Sequence, residues 1–408
     1  MELHDHISPS QRIGALSGLR VVDLSRVLAG PLCTQCLGDH GAVVIKVEPP
    51  AGDETRSWGP FSDGGSAYFS GVNRNKANIA VDLSKTDGRD VLLRLLKDAD
   101  VLVHNFKPGT LERWSIGFDD VLSPRFPRLI YCHISGFGET GPLGGMPGYD
   151  SVVQAMAGCM SVNGQPDGEP TRVGMSIVDI GTGLNAVIAI LMAVYERERS
   201  GRGQKLDVSL YDCALTYLHP HAAGLLQAGV EPRRSGNEHP SIAPYEQFST
   251  ASGPIFLGVG NDGQFVLACR LLGCEEILSD DRFKTNALRV SNRSALHALL
   301  QPVLLRQDAE ELSRKLLEKG VPAGPVLGVS EVLSAPHTAH RDMVVESGGY
   351  RALGIPIKLS RTPGSVRTTP QRLGELSRDV CRSVGLTDEE IDDLIKRRIV
   401  FASVDPSP

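Results

Sequence analysis

One acidic residue stands in an apolar segment of the sequence. Asp179 lies between Ile177-Val178 and Ile180, directly before a long apolar stretch that ends near Arg199. A carboxylate in such surroundings needs compensation for its charge, and the unpaired amides and dipole of a following helix N-terminus can supply it. A carboxylate kept ionised in this way is suited to act as a nucleophile. An aspartate at this place can also simply cap the helix, so the local sequence leaves both roles open.

Two glycine patterns resemble nucleotide-binding loops. Residues 258–263 read GxGxxG between an apolar strand and an apolar helix, and Gly181-Thr-Gly183 is a near match. A dinucleotide fingerprint also needs a second strand that ends in an acid, whereas residues 274–283 have no strand pattern. We therefore predict no NAD or FAD. We expect Gly258 and Gly260 to allow unusual dihedrals and a close approach to a ligand, with a tight turn as the alternative.

The cysteines give little indication of a special site. Cys33 and Cys36 form a CxxC, but no second CxxC, CxxH or HxxxH completes a metal site. Most of the eight cysteines lie in apolar sequence. We expect reduced core thiols, a helix that carries Cys33 and Cys36 one turn apart, and no metal centre.

Composition and charge exclude several classes of protein. Of 408 residues, 41% are hydrophobic and 22% charged, as in a globular protein rather than a disordered or collagenous one. The net charge of −6 offers no basic field for nucleic acid. The strongly apolar stretch 186–194 is far shorter than the about 20 residues of a membrane span, and residues 1–14 show no export signal. We expect a cytoplasmic protein with neither nucleic acid nor membrane as a partner.

The elements around Asp179 read as an α/β protein. Strand patterns at 19–24, 42–47, 78–83, 100–104 and 129–134 alternate with helix patterns. Short apolar strands separated by helices predict a doubly wound parallel sheet. Further helices are predicted within 148–199 and over 211–228, strands over 205–210 and 254–257, and a capping box at 387–390.

The predicted domain organisation has two parts. A large Rossmann-like domain is expected over 16–228, with a Pro- and Gly-rich linker at 229–243. A smaller α+β domain follows at 244–324, and residues 325–408 return to the large domain.

Seven short motifs, in order along the chain, resemble those of the class III CoA-transferases. Each motif alone is weak, but their order over residues 19–373 makes the similarity specific. The segments that carry it are 22–31, 41–48, 73–76, 105–109, 136–142, 148–155 and 200–204.

The resemblance implies a chemistry for Asp179. At the matching position the family has an aspartate that attacks an acyl-CoA thioester, giving an aspartyl mixed anhydride and then an aspartyl-CoA thioester. Gly258 and Gly260 match the loop that covers this carboxylate. The resemblance further implies that CoA thioesters are substrates, that no cofactor is bound permanently, and that the chain forms a homodimer of interlocked rings.

The resemblance also indicates which residues bind CoA. Basic side chains suit the nucleotide phosphates, and an aromatic ring can contact an apolar part of CoA. The matching positions are Arg26, Val27, Ala29, Asn73, Arg74, Asn75, Lys76, Asn105, Phe106, Lys107, Gly148, Tyr149 and Asp150.

Several positions bear on the acyl group. Formyl-CoA:oxalate enzymes carry Gln where this chain has Leu28, and racemases of the family carry His where it has Tyr149. Within the family the similarity is greatest to succinate–hydroxymethylglutarate CoA-transferases. We therefore expect transfer from succinyl-CoA to a dicarboxylic acid, with Arg56 or Arg172 as candidates for its distal carboxylate. Transfer to another acid, intramolecular transfer, racemisation and a silent CoA-ester-binding protein are the alternatives.

Overall fold

The computed structural model describes residues 14–62 and 65–403. The chain divides into two compact units. The first comprises residues up to Cys159, Val173–His219 and the chain from Ala339 onward, and the second comprises Met160–Arg172 and Pro220–Thr338. The predicted linker (229–243) and the predicted small domain (244–324) both fall within the second unit.

The strands fall into four sheets. In chain order they are β1 (Arg20–Asp23), β2 (Val43–Glu48), β3 (Phe61–Ser62), β4 (Gly65–Ser66), β5 (Lys76–Val81), β6 (Val101–His104), β7 (Ile130–Ser135), β8 (Lys205–Ser209), β9 (Tyr245–Thr250), β10 (Gly253–Gly258), β11 (Ala323–Pro325), β12 (Val344–Ser347), β13 (Tyr350–Leu353) and β14 (Val400–Phe401).

Helices surround these sheets. In chain order they are α1 (Ala29–Asp39), α2 (Ala67–Ser70), α3 (Thr86–Leu96), α4 (Thr110–Arg113), α5 (Ser123–Arg125), α6 (Asp150–Met156), α7 (Cys159–Val162), α8 (Ile177–Ser200), α9 (Leu210–Thr216), α10 (His221–Ala228), α11 (Asp262–Leu272), α12 (Asn286–Ser291), α13 (Arg293–Leu304), α14 (Ala309–Glu318), α15 (Val329–Ser334), α16 (Pro336–His340), α17 (Ser377–Ser383) and α18 (Asp388–Lys396).

The first unit is built on a seven-stranded sheet in the order β14-β5-β2-β1-β6-β7-β8. Six strands run parallel, and only β14 pairs antiparallel, with β5. The predicted parallel α/β sheet is thus confirmed. The chain leaves β1 toward β2 on one side and reaches β6 on the other, so the order reverses between β1 and β6. Open α/β sheets bind ligands at the carboxyl edge of such a point.

Both faces of this sheet are covered, which is why its strands carry apolar side chains on both faces. One face packs α3, α17 and α18 in a core that includes Ile79, Leu92, Leu102 and Ile391. The other face packs α1 and α8 in a core that includes Leu37, Val103, Ile134 and Ile190. The predicted capping box is confirmed at the start of α18, where Thr387 and Glu390 bond each other's backbone amides.

The single helix predicted over 211–228 is wrong. The chain forms α9, then a break at 217–220, then α10. Pro220 directly precedes α10, and proline disfavours helical geometry in the residue before it. Seven strands were also not predicted, because they are short or lack a clear alternation of apolar and polar residues: β3, β4, β9, β11, β12, β13 and β14.

The second unit has a three-stranded antiparallel sheet, β11-β10-β9, packed against α11, α13 and α14. The GxGxxG segment joins β10 to α11, whose N-cap is Asn261. Because β10 has only antiparallel neighbours, the motif lies outside the parallel βαβ unit that a dinucleotide fingerprint requires. The expectation of unusual dihedrals is wrong: Gly258 and Gly260 are not among the positive-φ glycines of the described residues.

Helix α8 needs its glycines for packing. A Cβ on Gly183 would lie 2.6 Å from the carbonyl oxygen of Ala29, and one on Gly181 would overlap the Tyr217 hydroxyl. The near match at 181–183 is therefore a packing motif within a helix. Among the described residues, α8 is also the one helix long and apolar enough to cross a membrane, which the short stretch 186–194 did not indicate. A core helix passes the same test, so the indication is weak.

Candidate active site

A cavity of about 230 Å³ opens at the carboxyl edge of the sheet, where the strand order reverses. The loops that follow β1, β6 and β7 form its walls, and the first turn of α8 contributes Asp179. It brings together nine of the residues predicted for the site: Arg26, Val27, Ala29, Asn105, Phe106, Lys107, Gly148, Tyr149 and Asp179.

The loop between β1 and α1 is held in an unusual conformation. Val27 has φ +72°, a region that a β-branched residue rarely adopts. The Asn105 side chain accepts a hydrogen bond from the Arg26 amide (2.9 Å) and donates one to the Arg26 carbonyl (2.8 Å). The buried Asp53 carboxylate accepts from the Val27 amide at 3.3–3.4 Å. Backbone strain that the surroundings enforce is a common property of ligand sites.

The carboxylate of Asp53 depends in turn on Lys46. The two side chains form a buried ion pair at 3.1 Å. Although burial opposes it, Lys46 and hydrogen bonds from Thr55 lower the pKa of Asp53. The loop therefore rests on an ionised, paired carboxylate rather than on a mobile side chain.

Asp179 is the third residue of α8, not its cap. The capping function belongs to Asp150, whose Oδ2 accepts hydrogen bonds from the amides of Val178 (2.8 Å) and Asp179 (3.1 Å). Asp150 is buried, and its Oδ1 accepts from Gln154 at 2.7 Å. Because Asp150 caps the helix, the carboxylate of Asp179 is left to face the cavity. Asp150 itself does not line the cavity, and its predicted role in CoA binding stays a prediction.

Burial, and next to it the charge of Asp150, raise the pKa of Asp179 to about 7. The sequence led us to expect that the helix N-terminus would keep this carboxylate readily ionised. That expectation is wrong in degree, because Asp150 already occupies the first-turn amides and adds a like charge. A carboxylate of this kind is more basic than usual and therefore a stronger nucleophile once ionised.

Tyr68 was not predicted and lies near Asp179. Its hydroxyl is hydrogen-bonded to Ser176, and burial, followed by the charge of Asp179, raises the pKa of Tyr68. Its ring packs edge-on against Trp58 with centroids 5.2 Å apart. The sequence offered no signal for this residue, because it lies more than a hundred positions before Asp179.

Residues 73–76 do not line the cavity, and their buried contacts disfavour the prediction that they bind CoA. Arg74 is buried and forms a two-point ion pair with Asp39 at 2.7 and 2.9 Å. Lys76 is buried against Asp23 at 3.1 Å, and burial lowers its pKa to about 8. Asn73 accepts from Lys76, and Asn75 donates to Asp39. Buried charges that are already paired are not available to a phosphate.

Arg56 is likewise committed elsewhere. Its Nε and one terminal nitrogen bind Glu48 at 2.8 and 2.7 Å, and its guanidinium lies 3.7 Å from the centre of the Phe69 ring. These contacts disfavour the hypothesis that Arg56 binds a distal carboxylate. Arg172 belongs to the second unit, and its predicted role stays a prediction.

A second cavity, of about 420 Å³, shares Arg26, Phe106 and Lys107 with the first. Its other walls are mainly apolar and include Trp114, whose ring meets that of Phe106 edge-on at 5.5 Å. Arg26 stacks over Phe106 at 5.7 Å. The two cavities thus meet at a pair of cationic residues and one aromatic ring. The full lining is Arg26, Val47, Pro49, Pro50, Val81, Asp82, Leu83, Ser84, Phe106, Lys107, Thr110 and Trp114.

Gly258 and Gly260 lie at the end of β10 in the second unit. Gly260 is exposed, and its amide donates to the Gln264 side chain at 2.9 Å. A Cβ on Gly260 would meet only that side chain, at 3.4 Å. The predicted role of this loop over a reacting carboxylate stays a prediction.

The cysteines fit the predicted role of core thiols. Cys33 and Cys36 both lie in α1 and are unbridged. Burial raises the pKa of Cys36 to about 11 and that of Cys33 well above its usual value, which makes thiolate chemistry unfavourable. Within the ranges 14–62 and 65–403, no group of three His, Cys, Asp or Glu side chains could hold a metal ion.

Comparison with known proteins places this geometry in a family. Residues 16–376 match the model of CoA-transferase family III. The chain is 42% identical over 355 residues to an acetyl-CoA:oxalate CoA-transferase of Acetobacter aceti, covering 86% of this chain and 91% of the relative. It is 40% identical over 373 residues to a succinate–glutarate CoA-transferase of Agrobacterium fabrum, covering 88% and 93%.

Solved structures agree. A CAIB/BAIF family protein from Brucella suis superposes with a TM-score of 0.82 at 41% identity, covering 91% of this chain and 100% of that one. The chain belongs to CoA-transferase family III and is a CoA-transferase.

Proposed function

We propose that the protein transfers CoA from an acyl-CoA, with succinyl-CoA as the expected donor, to a dicarboxylic acid through covalent intermediates on Asp179. The observation that carries the proposal is the place of Asp179: its carboxylate faces the cavity from the first turn of α8, while Asp150 satisfies the helix amides. The Asp179 carboxylate is thus accessible to a substrate, and it does not cap the helix.

The two joined cavities suit the two ends of a CoA thioester. Arg26 and Lys107 lie where the cavities meet and can neutralise phosphates. The larger cavity offers apolar walls and the Trp114 ring for the nucleotide base. The smaller cavity leads to Asp179 and would hold the thioester.

The proposed chemistry consists of two matched exchanges. An oxygen of Asp179 attacks the thioester carbon, the C–O bond of an anhydride forms, and the C–S bond breaks to release CoA thiolate. The thiolate then attacks the aspartyl carbonyl, which gives aspartyl-CoA and the free donor acid. The acceptor carboxylate repeats both steps in reverse, so the energy of the thioester is kept as long as water is excluded.

The proposed class of acceptor acid rests on the similarity to named relatives and on one residue, Leu28. Relatives named for oxalate and for glutarate are about equally similar to this chain, so overall identity does not separate them. Leu28 lines the small cavity. In oxalate the second carboxylate is joined directly to the reacting one, and the apolar side chain of Leu28 offers no hydrogen bond to a carboxylate so near. A longer dicarboxylate would carry its distal group beyond Leu28.

An exchange assay tests this proposal. The donor is succinyl-CoA, and the panel of acceptors is glutarate, 3-hydroxy-3-methylglutarate, itaconate, citramalate, mesaconate and oxalate. We expect every acid except oxalate to give a new CoA ester readily, as detected by liquid chromatography. Oxalate should react at least about tenfold more slowly than the best acid, the effect of one missing polar contact. A preference for oxalate, or no exchange with any acid, would contradict the proposed substrate class.

We also propose that the chain works as a homodimer and that α8 contributes to the contact. One side of α8 packs in the core, yet its other side exposes an apolar stripe at helical spacing. The stripe consists of Ile180, Leu184, Ile188, Leu191, Met192 and Tyr195. A helix that is apolar all round is normally covered on every side, and a second copy of this chain is the proposed cover.

Light scattering of the purified protein should give twice the chain mass. Ile188→Glu with Met192→Glu should shift the protein to the monomer, because each charge would be buried unpaired. Leu317→Glu, which changes an exposed leucine on α14, serves as the control and should leave the mass unchanged. A monomeric wild type, or binding to lipid vesicles through α8, would contradict the dimer.

A further inference from the structure

Two histidines at the carboxyl edge of the sheet stack on each other beside the candidate site. His104 ends β6 and His133 lies on β7, where the two are register partners. Their rings are nearly parallel, with centroids 4.5 Å apart and an interplanar angle of 10°. Both side chains are buried. Neither residue lines the cavity, and neither took part in the mechanism above.

The pair holds the Phe106 peptide from both sides. The Phe106 amide donates to His104 Nδ1 at 3.3 Å, and the Phe106 carbonyl accepts from His133 Nε2 at 2.9 Å. Phe106 is one of the three residues that line both cavities. The histidines therefore fix the backbone of the segment that carries Phe106 and Lys107.

The hydrogen bonds define the protons on each ring. His133 Nδ1 lies 2.8 Å from a carboxylate oxygen of Glu139, while Nε2 faces the Phe106 carbonyl. Both of these oxygens are acceptors, so His133 satisfies them together only as the doubly protonated imidazolium. His104 accepts through Nδ1 and is neutral. Burial, and then the nearby charges of His133 and Lys205, lower the pKa of His104 well below its usual value.

An ionised carboxylate supports the charge on His133. Lys205 lies 2.5 Å from the second oxygen of Glu139. Although burial opposes it, hydrogen bonds from Lys205 and His133 lower the pKa of Glu139. Three further titratable groups lie on this side. Asp207 is the register partner of His133 on β8 and accepts a hydrogen bond from the Glu139 amide. Glu112 and Asp119 face Tyr131.

We propose that His104 and His133 are positioning residues that hold the Phe106 peptide in the geometry that binds CoA. The inference rests on the proposed CoA site. It predicts that CoA affinity falls when the donor from His133 Nε2 to the Phe106 carbonyl is removed, because that buried backbone oxygen then loses its partner.

Two amide variants separate the contacts of His133. Glutamine places its NH₂ group near the position of Nε2 and keeps the donor to Phe106, whereas asparagine places it near Nδ1 and keeps only the contact with Glu139. We expect His133→Asn to raise the Kd for CoA about tenfold and His133→Gln to stay within about threefold of wild type. The ratio of each variant's Kd to the wild-type Kd is measured by titration calorimetry with CoA from pH 6 to 9. Because each ratio compares two proteins at the same pH, the ionisation of CoA itself cancels.

A variant of Glu139 distinguishes the contact with Phe106 from mere stability. Glu139→Gln, at a partly exposed position, is less prone to misfolding than a variant in the core, and it leaves the donor from His133 to the Phe106 carbonyl in place. Its Kd for CoA should therefore stay within about threefold of wild type.

Three outcomes decide the matter. A large effect of His133→Asn with a small effect of His133→Gln supports the inference. Equal effects of both, or changes in melting temperature alone, overturn it while leaving the CoA site intact, provided that Lys107→Ala weakens CoA binding. If Lys107→Ala also leaves the Kd unchanged, CoA does not bind in this cavity, and the proposed site fails together with the inference.

Discussion

Replacement of Asp179 by asparagine is expected to lower the rate of CoA exchange by at least about a thousandfold. Removal of a covalent nucleophile commonly costs this much or more. The amide nearly matches the carboxylate in shape, so the helix start and the bonds from Asp150 to the Val178 and Asp179 amides should persist. The loss would therefore report chemistry rather than folding.

Binding and trapping experiments separate this result from simple disruption. The Kd for CoA should change less than about threefold in Asp179→Asn. Incubation with acyl-CoA and tritiated borohydride should label only the wild type, because hydride reduces the aspartyl thioester to an alcohol that keeps the tritium while CoA leaves as the thiol. Asp212→Asn is a matched control, since Asp212 is also the third residue of a helix, α9, but is exposed and lies outside the cavity lining. Exchange by Asp179→Asn at more than about a tenth of the wild-type rate would exclude Asp179 as the nucleophile.

The sequence was sufficient to predict the seven-stranded sheet's central strands and much of the cavity wall. The strands at 20–23, 43–48, 101–104 and 130–135 were predictable because each is a short apolar run bounded by polar residues. The loops after β1 and β6 were found through family motifs, and they lie together because the carboxyl ends of parallel strands share one edge.

What the sequence could not provide are partners far apart in the chain. Arg74 and Lys76 seemed available for phosphates because Asp39 and Asp23, which neutralise them, lie more than thirty residues away. The capping of α8 by Asp150 joins residues 28 positions apart. The same holds for His133, whose Nε2 donates to the Phe106 carbonyl 27 positions earlier in the chain. In each case a local pattern gives the residue type but not the charge that compensates it.

The surroundings of the Asp179 carboxylate also lower the stability of the folded protein. Asp179 is partly buried beside a second acid, and its pKa is raised to about 7. Asp150 cannot simply be removed, because it satisfies the amides of the first turn of α8. The arrangement thus keeps a reactive group in place at the expense of stability, a common compromise at active sites.

Asp179→Asn should accordingly make the substrate-free protein more stable at high pH. The pKa of an unfolded aspartate is about 3.9, so the unfolded chain loses its proton near pH 4, whereas the folded protein retains it up to about pH 7. Folding therefore becomes less favourable as pH rises between these values. Since one pKa unit corresponds to about 1.4 kcal/mol, we expect the variant to gain about 2–4 kcal/mol at pH 8 and almost nothing at pH 4.

The pH dependence of this gain is what makes the prediction specific. Urea unfolding of wild type, Asp179→Asn and the control Asp212→Asn at pH 4.5, 6 and 8 would measure it. The difference between wild type and Asp179→Asn should grow steadily with pH, because a neutral amide has no ionisation to lose. A gain that is constant with pH would point to better packing, and a destabilised variant at pH 8 would mean that the Asp179 carboxylate is stabilised by its surroundings. Only a gain that appears between pH 4 and 7 would show that the Asp179 carboxylate is held as a partly buried, uncompensated charge.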